Sequence, residues 1–185
     1  MTERRRVRID GKPPKRDAPK QDVAAPPAEC NCPRLDADDW NEVESDWGDI
    51  TFVSSSTNAV LGVPVGYDVA RKNLFAKAAK LGATVPEEPM ILLGSGRFRR
   101  TILLEVEDVP PGAKGIERPG GIAFTQLMEA PWGEMRHKVD TAREVATQHY
   151  GRKPDNLWVW YVTCRECSHE RNFETLIIAH YRQSP

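Results

Sequence analysis

Two closely spaced cysteine pairs constrain the fold of this chain more than any other feature. They are Cys30-Asn31-Cys32 near the N-terminus and Cys164-Arg165-Glu166-Cys167 near the C-terminus. Together the pairs supply the four sulfur ligands of a tetrahedral zinc ion. One shared ion would fix the N-terminal segment against the last hairpin of the domain. Because four sulfurs leave no open coordination position, such a zinc is structural and does not identify the function.

Other uses of these cysteines must be weighed. An iron–sulfur cluster takes the same four thiolates, and redox-active or unpaired thiols are a third interpretation. Disulfides need an oxidising compartment, but the N-terminal stretch MTERRRVRID is charged and lacks the apolar segment of a signal peptide. No run is apolar enough to span a bilayer, so we expect a cytoplasmic protein without a membrane partner. His169 could replace one sulfur, although a solvated loop histidine is the favoured interpretation.

The charge along the chain is uneven and indicates its domain organisation. Residues 1–20 carry eight Lys or Arg against three acids, whereas residues 21–50 carry nine acids against Arg34. The first 28 residues are rich in proline and poor in large apolar residues, which predicts a disordered basic tail. A net charge of −1 over 185 residues argues against a general nucleic-acid binder. We therefore expect a tail over 1–28, a cysteine-containing extension over 29–49 and one domain over 50–185.

The extension is predicted to contain a short acidic helix. Asp36 can cap it, and Trp40, Val43 and Trp47 would then share one helical face. The favoured interpretation is that this face packs on the domain core beside the metal. The alternative is an interaction protein, in which the acidic helix and the basic tail recruit a partner.

Hydrophobic periodicity predicts the elements of the main domain. Helices are predicted over 68–81 and 132–150, since apolar residues recur at helical spacing and Gly82 and Gly151 follow. Strands are predicted where β-branched and apolar residues cluster, over 50–53, 59–65, 90–93, 99–107, 122–129, 157–163 and 173–181. This order predicts an α+β fold with a mainly antiparallel sheet.

From residue 59 the order strand, helix, strand, strand occurs twice. This order resembles the GyrI-like family of small-molecule-binding domains over about residues 50–182. The matching passages are AVLGVPVGY, RPGGIAFTQLMEAPWGEM and FETLIIAHY. Two features depart from the family: the proline usual near the end of the last strand is absent, and the cysteine pairs imply a metal-stapled subgroup. Heme-binding proteins with a related duplicated architecture share the same element order.

The GyrI-like resemblance implies a pocket between the two modules with aromatic walls and a buried carboxylate. It also implies small organic ligands, and some members hydrolyse reactive compounds. Glu174 matches the family's carboxylate position on the last strand, where burial would suit a general acid or base and a cationic ligand would keep it ionised. The alternative is a solvated carboxylate at the strand edge. Glu105 is the second candidate carboxylate.

Strand alternation divides the remaining candidates between two faces of the sheet. Trp158 and Trp160 are predicted on one face, whereas Tyr161, a candidate proton donor or water-orienting group, lies on the other. His180 is expected on the same face as Glu174 and could assist it. Trp132 could stack on a flat ligand at the pocket mouth, although an anchor for the second helix is the favoured interpretation.

The remaining motifs exclude several chemistries. The turn at residues 94–100, GSGRFRR, lacks the spacing of a phosphate loop and leads into a strand, so we interpret it as a basic hairpin turn. No His-Glu-x-x-His metal motif or serine nucleophile elbow occurs. Two main functions stay open: a ligand-binding module for a hydrophobic or cationic molecule, and a cofactor-free hydrolase with Glu174 as general base.

Overall fold

The computed structural model describes residue 30 and residues 32–60, 63–131 and 133–182. Within these ranges lie three helices, α1 (Ala37–Trp40), α2 (Tyr67–Lys80) and α3 (Met135–Tyr150). The nine strands of the described residues form one sheet. In chain order they are β1 (Val43–Asp46), β2 (Thr51–Val60), β3 (Val63–Val65), β4 (Ile91–Gly94), β5 (Arg99–Val106), β6 (Ile116–Glu117), β7 (Ile122–Glu129), β8 (Asn156–Tyr161) and β9 (Glu174–Tyr181).

The sheet contains the same module twice. The first module consists of β2, α2, β4 and β5, and the second of β7, α3, β8 and β9. In each module the last strand lies between the other two, so the overall order is β1-β7-β9-β8-β4-β5-β2-β3, with β6 beside β2. All these strand pairs are antiparallel, and β4 and β8 join the modules. The predicted α+β class with a mainly antiparallel sheet is confirmed.

Both long helices pack on one side of the sheet, which we call the helix face. The Tyr67 ring of α2 meets Tyr161 of β8 edge-on, and the Tyr181 hydroxyl of β9 donates to the Ala146 carbonyl of α3 at 2.9 Å. The buried positions of α2 are Ala70, Leu74 and Ala78, spaced four residues apart on one stripe. Helix α3 buries only alanines among its core contacts, so it lies close to the strands beneath it.

The opposite side of the sheet, the extension face, is covered by the segment that precedes β2. Trp47 is 1% exposed and stacks on His180 with ring centroids 5.3 Å apart. The same indole lies 5.6 Å from the ring of Phe52, and Trp40 meets Trp160 edge-on at 5.6 Å. These aromatic rings replace the helix that would otherwise be needed to bury this face.

The extension differs from the predicted helix after its first turn. Asp36 does cap α1, because its carboxylate accepts a hydrogen bond from the Asp38 N–H at 2.9 Å. The helix ends at Trp40. Glu42 has a positive φ of 54°, which a right-handed helix does not allow, so the helix cannot continue through this residue. Residues 43–46 then pair with β7 as an edge strand. Trp40 and Trp47 still pack on the core as expected, but from the end of α1 and from the position after β1.

Three further boundaries differ from the predictions, and one prediction lies outside the described residues. The separate strands predicted over 50–53 and 59–65 are one long strand, β2, followed by the short β3, because polar residues 54–58 pair with β5 throughout. The second helix begins at Met135 rather than at residue 132. The loop after β5 contains the short strand β6. The tail predicted over 1–28 lies outside the described residues.

Among the helices of the described residues, none has the length and apolar character needed to cross a membrane.

Candidate functional site

The four cysteines meet in space. Cys30 and Cys32 come from the extension, and Cys164 and Cys167 from the loop between β8 and β9. All four Sγ atoms lie within 4.8 Å of one another. The Cys30 and Cys164 sulfurs are 3.5 Å apart, and those of Cys164 and Cys167 are 3.8 Å apart. The group could therefore hold a metal ion between two segments that are distant in the sequence.

The sulfur spacing fits a tetrahedral ion. Zinc–thiolate bonds of about 2.3 Å in tetrahedral geometry place the sulfurs about 3.8 Å apart. Burial raises the pKa of Cys32 and of Cys167. Burial also acts to raise the pKa of Cys164, but hydrogen bonds from the Cys167 N–H and the Cys30 thiol lower it to about 7. A bound cation would stabilise all four cysteine side chains as thiolates.

The loop that carries Cys164 and Cys167 is fixed by hydrogen bonds of its own. The Cys164 N–H donates to the Cys32 sulfur at 3.1 Å. Arg171 donates to the Pro33 carbonyl at 2.8 Å and forms an ion pair with Glu174. The arginine therefore connects the extension, the cysteine loop and the start of β9 independently of any metal.

A cleft of about 900 Å³ opens beside the cysteine cluster on the helix face. Helix α2 and the segment after it form one wall, and the cysteine loop with residues 30, 32 and 33 forms the other. Ile91, Tyr161 and Thr175 come from the strands between these walls. Three of the four cysteines, Cys30, Cys32 and Cys164, line the cleft. The cleft therefore has an aromatic and apolar base and a wall that depends on the cysteine cluster.

Tyr161 is the predicted site residue that faces this cleft most directly. Its side chain is largely buried, hydrogen-bonds to Arg100, and meets the Tyr67 ring with centroids 6.1 Å apart. Burial raises the pKa of Tyr161, although the Arg100 guanidinium opposes the shift, and burial raises the pKa of Tyr67 to about 12. Both phenols are therefore neutral hydrogen-bond donors at physiological pH.

Glu174 does not line the cleft, because strand alternation puts its side chain on the extension face together with His180. Its neighbours Phe173 and Thr175 both line the cleft. Its carboxylate forms an ion pair with Arg171 and is partly buried, with 20% of the side chain exposed. Glu174 is therefore neither fully buried nor fully solvated, so it lies between the two alternatives drawn from the sequence. Its hydrogen-bond partner is Arg171 rather than Tyr161 or His180.

His180 and Tyr161 lie on opposite faces of the sheet. His180 is fully buried on the extension face, where its Nε2 donates to the Gly120 carbonyl at 2.7 Å and its ring stacks on Trp47. Burial lowers the pKa of His180, which suits this neutral tautomer. The structure therefore does not bring His180 to Tyr161 or to the cleft.

The remaining predicted residues that the structure describes lie on the extension face. Trp160 contacts Trp40 there and also borders the cleft, and Trp158 is buried opposite Gly94. Glu105 is also buried on the extension face, where it accepts a hydrogen bond from the Met90 N–H at 2.9 Å. Trp132 lies outside the described residues. Their predicted ligand-binding roles stay predictions.

Sequence reasoning missed two residues that shape the cleft. Arg100 falls in the stretch interpreted as a basic turn, yet it is the second residue of β5 and reaches Tyr161. Tyr67, the first residue of α2, also lines the cleft. The alternation of β5 contained a signal, because Arg100, Ile102 and Leu104 share the helix face. His169 is exposed and packs on Phe173, in agreement with the interpretation as a loop histidine.

The fold and the site together define a class: an α+β domain with a duplicated strand–helix–strand–strand module, a helix-face cleft and a four-cysteine cluster at its wall. Residues 21–180 match the model of a family described as Bacterial hydrolase. The chain belongs to this bacterial hydrolase family. A comparison with curated proteins finds no match.

Proposed function

We propose that the protein is a hydrolase that acts on a small organic compound bound in the helix-face cleft. The observation that carries the proposal is the Tyr161 phenol at the base of the cleft, hydrogen-bonded to Arg100 and adjacent to Tyr67. Membership of a family described as Bacterial hydrolase supports the reaction class. The cleft volume lies within the range of about 300–1,000 Å³ usual for small-molecule sites.

The chemistry follows from the neutral phenols. When water attacks a carbonyl-type group, negative charge develops on its oxygen, and preorganised donors stabilise that charge more than they stabilise the substrate. Tyr161 and Tyr67 are such donors, because burial raises the pKa of each hydroxyl. The Arg100 guanidinium polarises the Tyr161 hydroxyl and fixes its direction. Each missing donor of this type lowers kcat by about 10²–10³.

A carboxylate is needed to activate the water. Glu174, the general base predicted from the sequence, does not line the cleft, because its carboxylate lies on the extension face and pairs with Arg171. Three exposed carboxylates do line the cleft wall, Asp68, Glu87 and Glu88, and they are the proposed bases. Since general-base catalysis contributes about 10²–10⁴ to the rate, single Gln substitutions separate these candidates.

The metal in this proposal is a structural zinc ion held by Cys30, Cys32, Cys164 and Cys167. With four sulfur ligands it has no open position for substrate, so its contribution is to hold the cleft wall in place. Elemental analysis of the purified protein distinguishes one zinc per chain from the iron and sulfide of an iron–sulfur cluster. Any other stoichiometry contradicts the zinc assignment.

The experiment measures hydrolysis of 4-nitrophenyl esters by the wild-type protein and by Tyr161→Phe. The expected result is a loss of about 10²–10³ in kcat for the variant. Tyr150→Phe is the matched control, because Tyr150 lies on α3 away from the cleft, and it should keep wild-type turnover. Equal turnover by Tyr161→Phe and wild type would exclude the proposed site.

A second candidate is a ligand-binding protein without turnover, related to the GyrI-like family. The observation that favours it is the duplicated module with a cleft on the helix face, which agrees with the arrangement that the resemblance implies. The variants Asp68→Gln, Glu87→Gln and Glu88→Gln separate the two candidates, because all three carboxylates line the cleft. Loss of turnover with retained binding supports the hydrolase, whereas a change in binding alone supports the ligand-binding protein.

A further inference from the structure

We propose that the cleft selects organic anions, with a carboxylate of the ligand bound by the Tyr161 and Tyr67 hydroxyls in front of the Arg100 guanidinium. This inference rests on the proposed function, since it names the substrate class of the same cleft. It differs from the sequence expectation of a hydrophobic or cationic ligand. A naphthalene-sized aromatic acid has the chemistry that the cleft matches: an apolar body and one negative end.

The first step is the position of the positive charge. Arg100 lies on the helix face of β5, and its Nε donates to the Gly94 carbonyl at 2.5 Å. Its side chain also hydrogen-bonds to Tyr161, so it stands behind that phenol as seen from the cleft. Burial shields it partly from water, and arginine keeps its proton in proteins. A partly buried cation produces a stronger local field than an exposed one.

The second step is the presence of hydrogen-bond donors between this charge and the cleft. The Tyr161 and Tyr67 rings are 6.1 Å apart in an edge-to-face arrangement, and both line the cleft. A hydroxyl that is polarised by a neighbouring guanidinium donates a stronger hydrogen bond to an ionised acceptor. Arg71 lies at the cleft wall and stacks on Phe75 at 5.9 Å, but it is exposed, so water and salt screen its charge as they screen the nearby carboxylates.

The third step concerns the carboxylates near the mouth of the cleft. Asp68, Glu87 and Glu88 are exposed, so water and salt screen their repulsion of an anion. The donors at the base are less exposed, and their attraction is screened less. The balance therefore favours an anionic group at the base and a neutral body toward the mouth. Phe75 and Phe173 supply apolar surface for that body.

The test compares two ligands of the same shape in the full-length protein. The probes are 2-naphthoate and the neutral 2-naphthamide, and the measurement is the dissociation constant by calorimetry. We expect naphthoate to bind at least about tenfold more tightly, a difference of about 1.4 kcal/mol. The preference should decrease as ionic strength rises. Equal affinity for both probes overturns the inference.

Two variants locate the preference. Tyr161→Phe keeps the ring and removes the hydroxyl, and Arg100→Gln removes the charge; each should reduce the preference for naphthoate toward unity. The matched control is Arg97→Gln, because Arg97 lies in the neighbouring turn and stacks on the exposed Phe98. A preference that persists in Tyr161→Phe overturns the inference even if Arg100→Gln fails to fold.

The failure of this inference is distinguishable from failure of the proposed function. Turnover of neutral 4-nitrophenyl esters without any preference for naphthoate overturns the anion site alone. Tight, charge-selective naphthoate binding without hydrolysis of any ester overturns the hydrolase alone and supports the anion site.

Discussion

The two modules have the same strand order but differ in the loop between their last two strands. In the first module, β4 and β5 are joined by residues 95–98, whereas in the second module residues 162–173 join β8 and β9. The short turn contains Arg97 and exposes Phe98; the long loop carries Cys164 and Cys167 and forms a cleft wall. The comparison shows that the duplicated scaffold is maintained by strand pairing, while one hairpin has acquired the specialised site.

The largest expected effect is on the long loop. Cys167→Ser removes one of four sulfur ligands, and structural zinc in small domains supplies about 10–16 kcal/mol of binding free energy. We expect loss of bound metal and a decrease of several kcal/mol in the free energy of unfolding, measured by elemental analysis and urea unfolding. Ser168→Ala, at the adjacent position, should keep the metal. Full metal content in Cys167→Ser would contradict the proposed difference between the two loops, because the long loop would then not depend on the metal.

The second comparison concerns the helices of the two modules. Leu74 is the large buried anchor of α2, and Leu74→Ala should reduce the free energy of unfolding by about 2–5 kcal/mol. Ala146 of α3 is fully buried and its carbonyl accepts a hydrogen bond from the Tyr181 hydroxyl, so Ala146→Val should cost about 1–3 kcal/mol through overpacking. Urea unfolding measures both. A stabilised Ala146→Val variant would mean that α3 packs less closely than we describe.

The third prediction concerns the junction between the modules. A Cβ at Gly94 would lie 2.8 Å from Cζ3 of Trp158, so Gly94→Ala should reduce the free energy of unfolding by about 1–3 kcal/mol. Gly133→Ala is the control, because a Cβ there meets nothing within 4 Å. Thermal unfolding distinguishes the two variants. If both variants lose the same thermal stability, close packing of the modules does not restrict the side chain at position 94.

The smallest effect is the pH dependence from His180 in the second module. Burial lowers its folded-state pKa below the unfolded value of about 6.5, so its contribution to stability is present above pH 6.5 and is lost as the pH falls toward the folded pKa. One such group gives a slope of at most about 1.4 kcal/mol per pH unit. His180→Gln should flatten the stability profile as the pH falls below about 6.5. An unchanged profile in His180→Gln would contradict the assignment.

Local patterns were sufficient to predict most of the fold. The apolar stripe of α2 and the continuous apolar run of β9 are set by neighbouring residues, so both elements lie close to their predicted positions. The strand at 43–46 was wrongly predicted as helical, because its conformation depends on pairing with β7, about eighty residues away. Non-local pairing leaves no periodic signal in a short polar segment.

The site was predictable only in part, for the same reason. Cysteine spacing predicted the cluster, since metal ligation is a property of the residue type. The partners of Glu174 and Tyr161 were not predictable, because Arg171 and Arg100 reach them through a loop and a neighbouring strand. Alternation within each strand did not relate Tyr161 to His180; the β8–β9 register places them on opposite faces, which limits any mechanism to one of them.

The ladder between β4 and β8 has a consequence for how the molecule moves. Only Leu93↔Val159 and Gly94↔Trp158 are registered across it, against eight residue pairs between β7 and β9. Trp47 contacts Phe52 of one half and His180 of the other, so the extension links both halves across this narrow ladder. Without the Trp47 contacts, the two halves could rotate about these two residue pairs. The rate of amide hydrogen exchange would then rise first along β4 and β8.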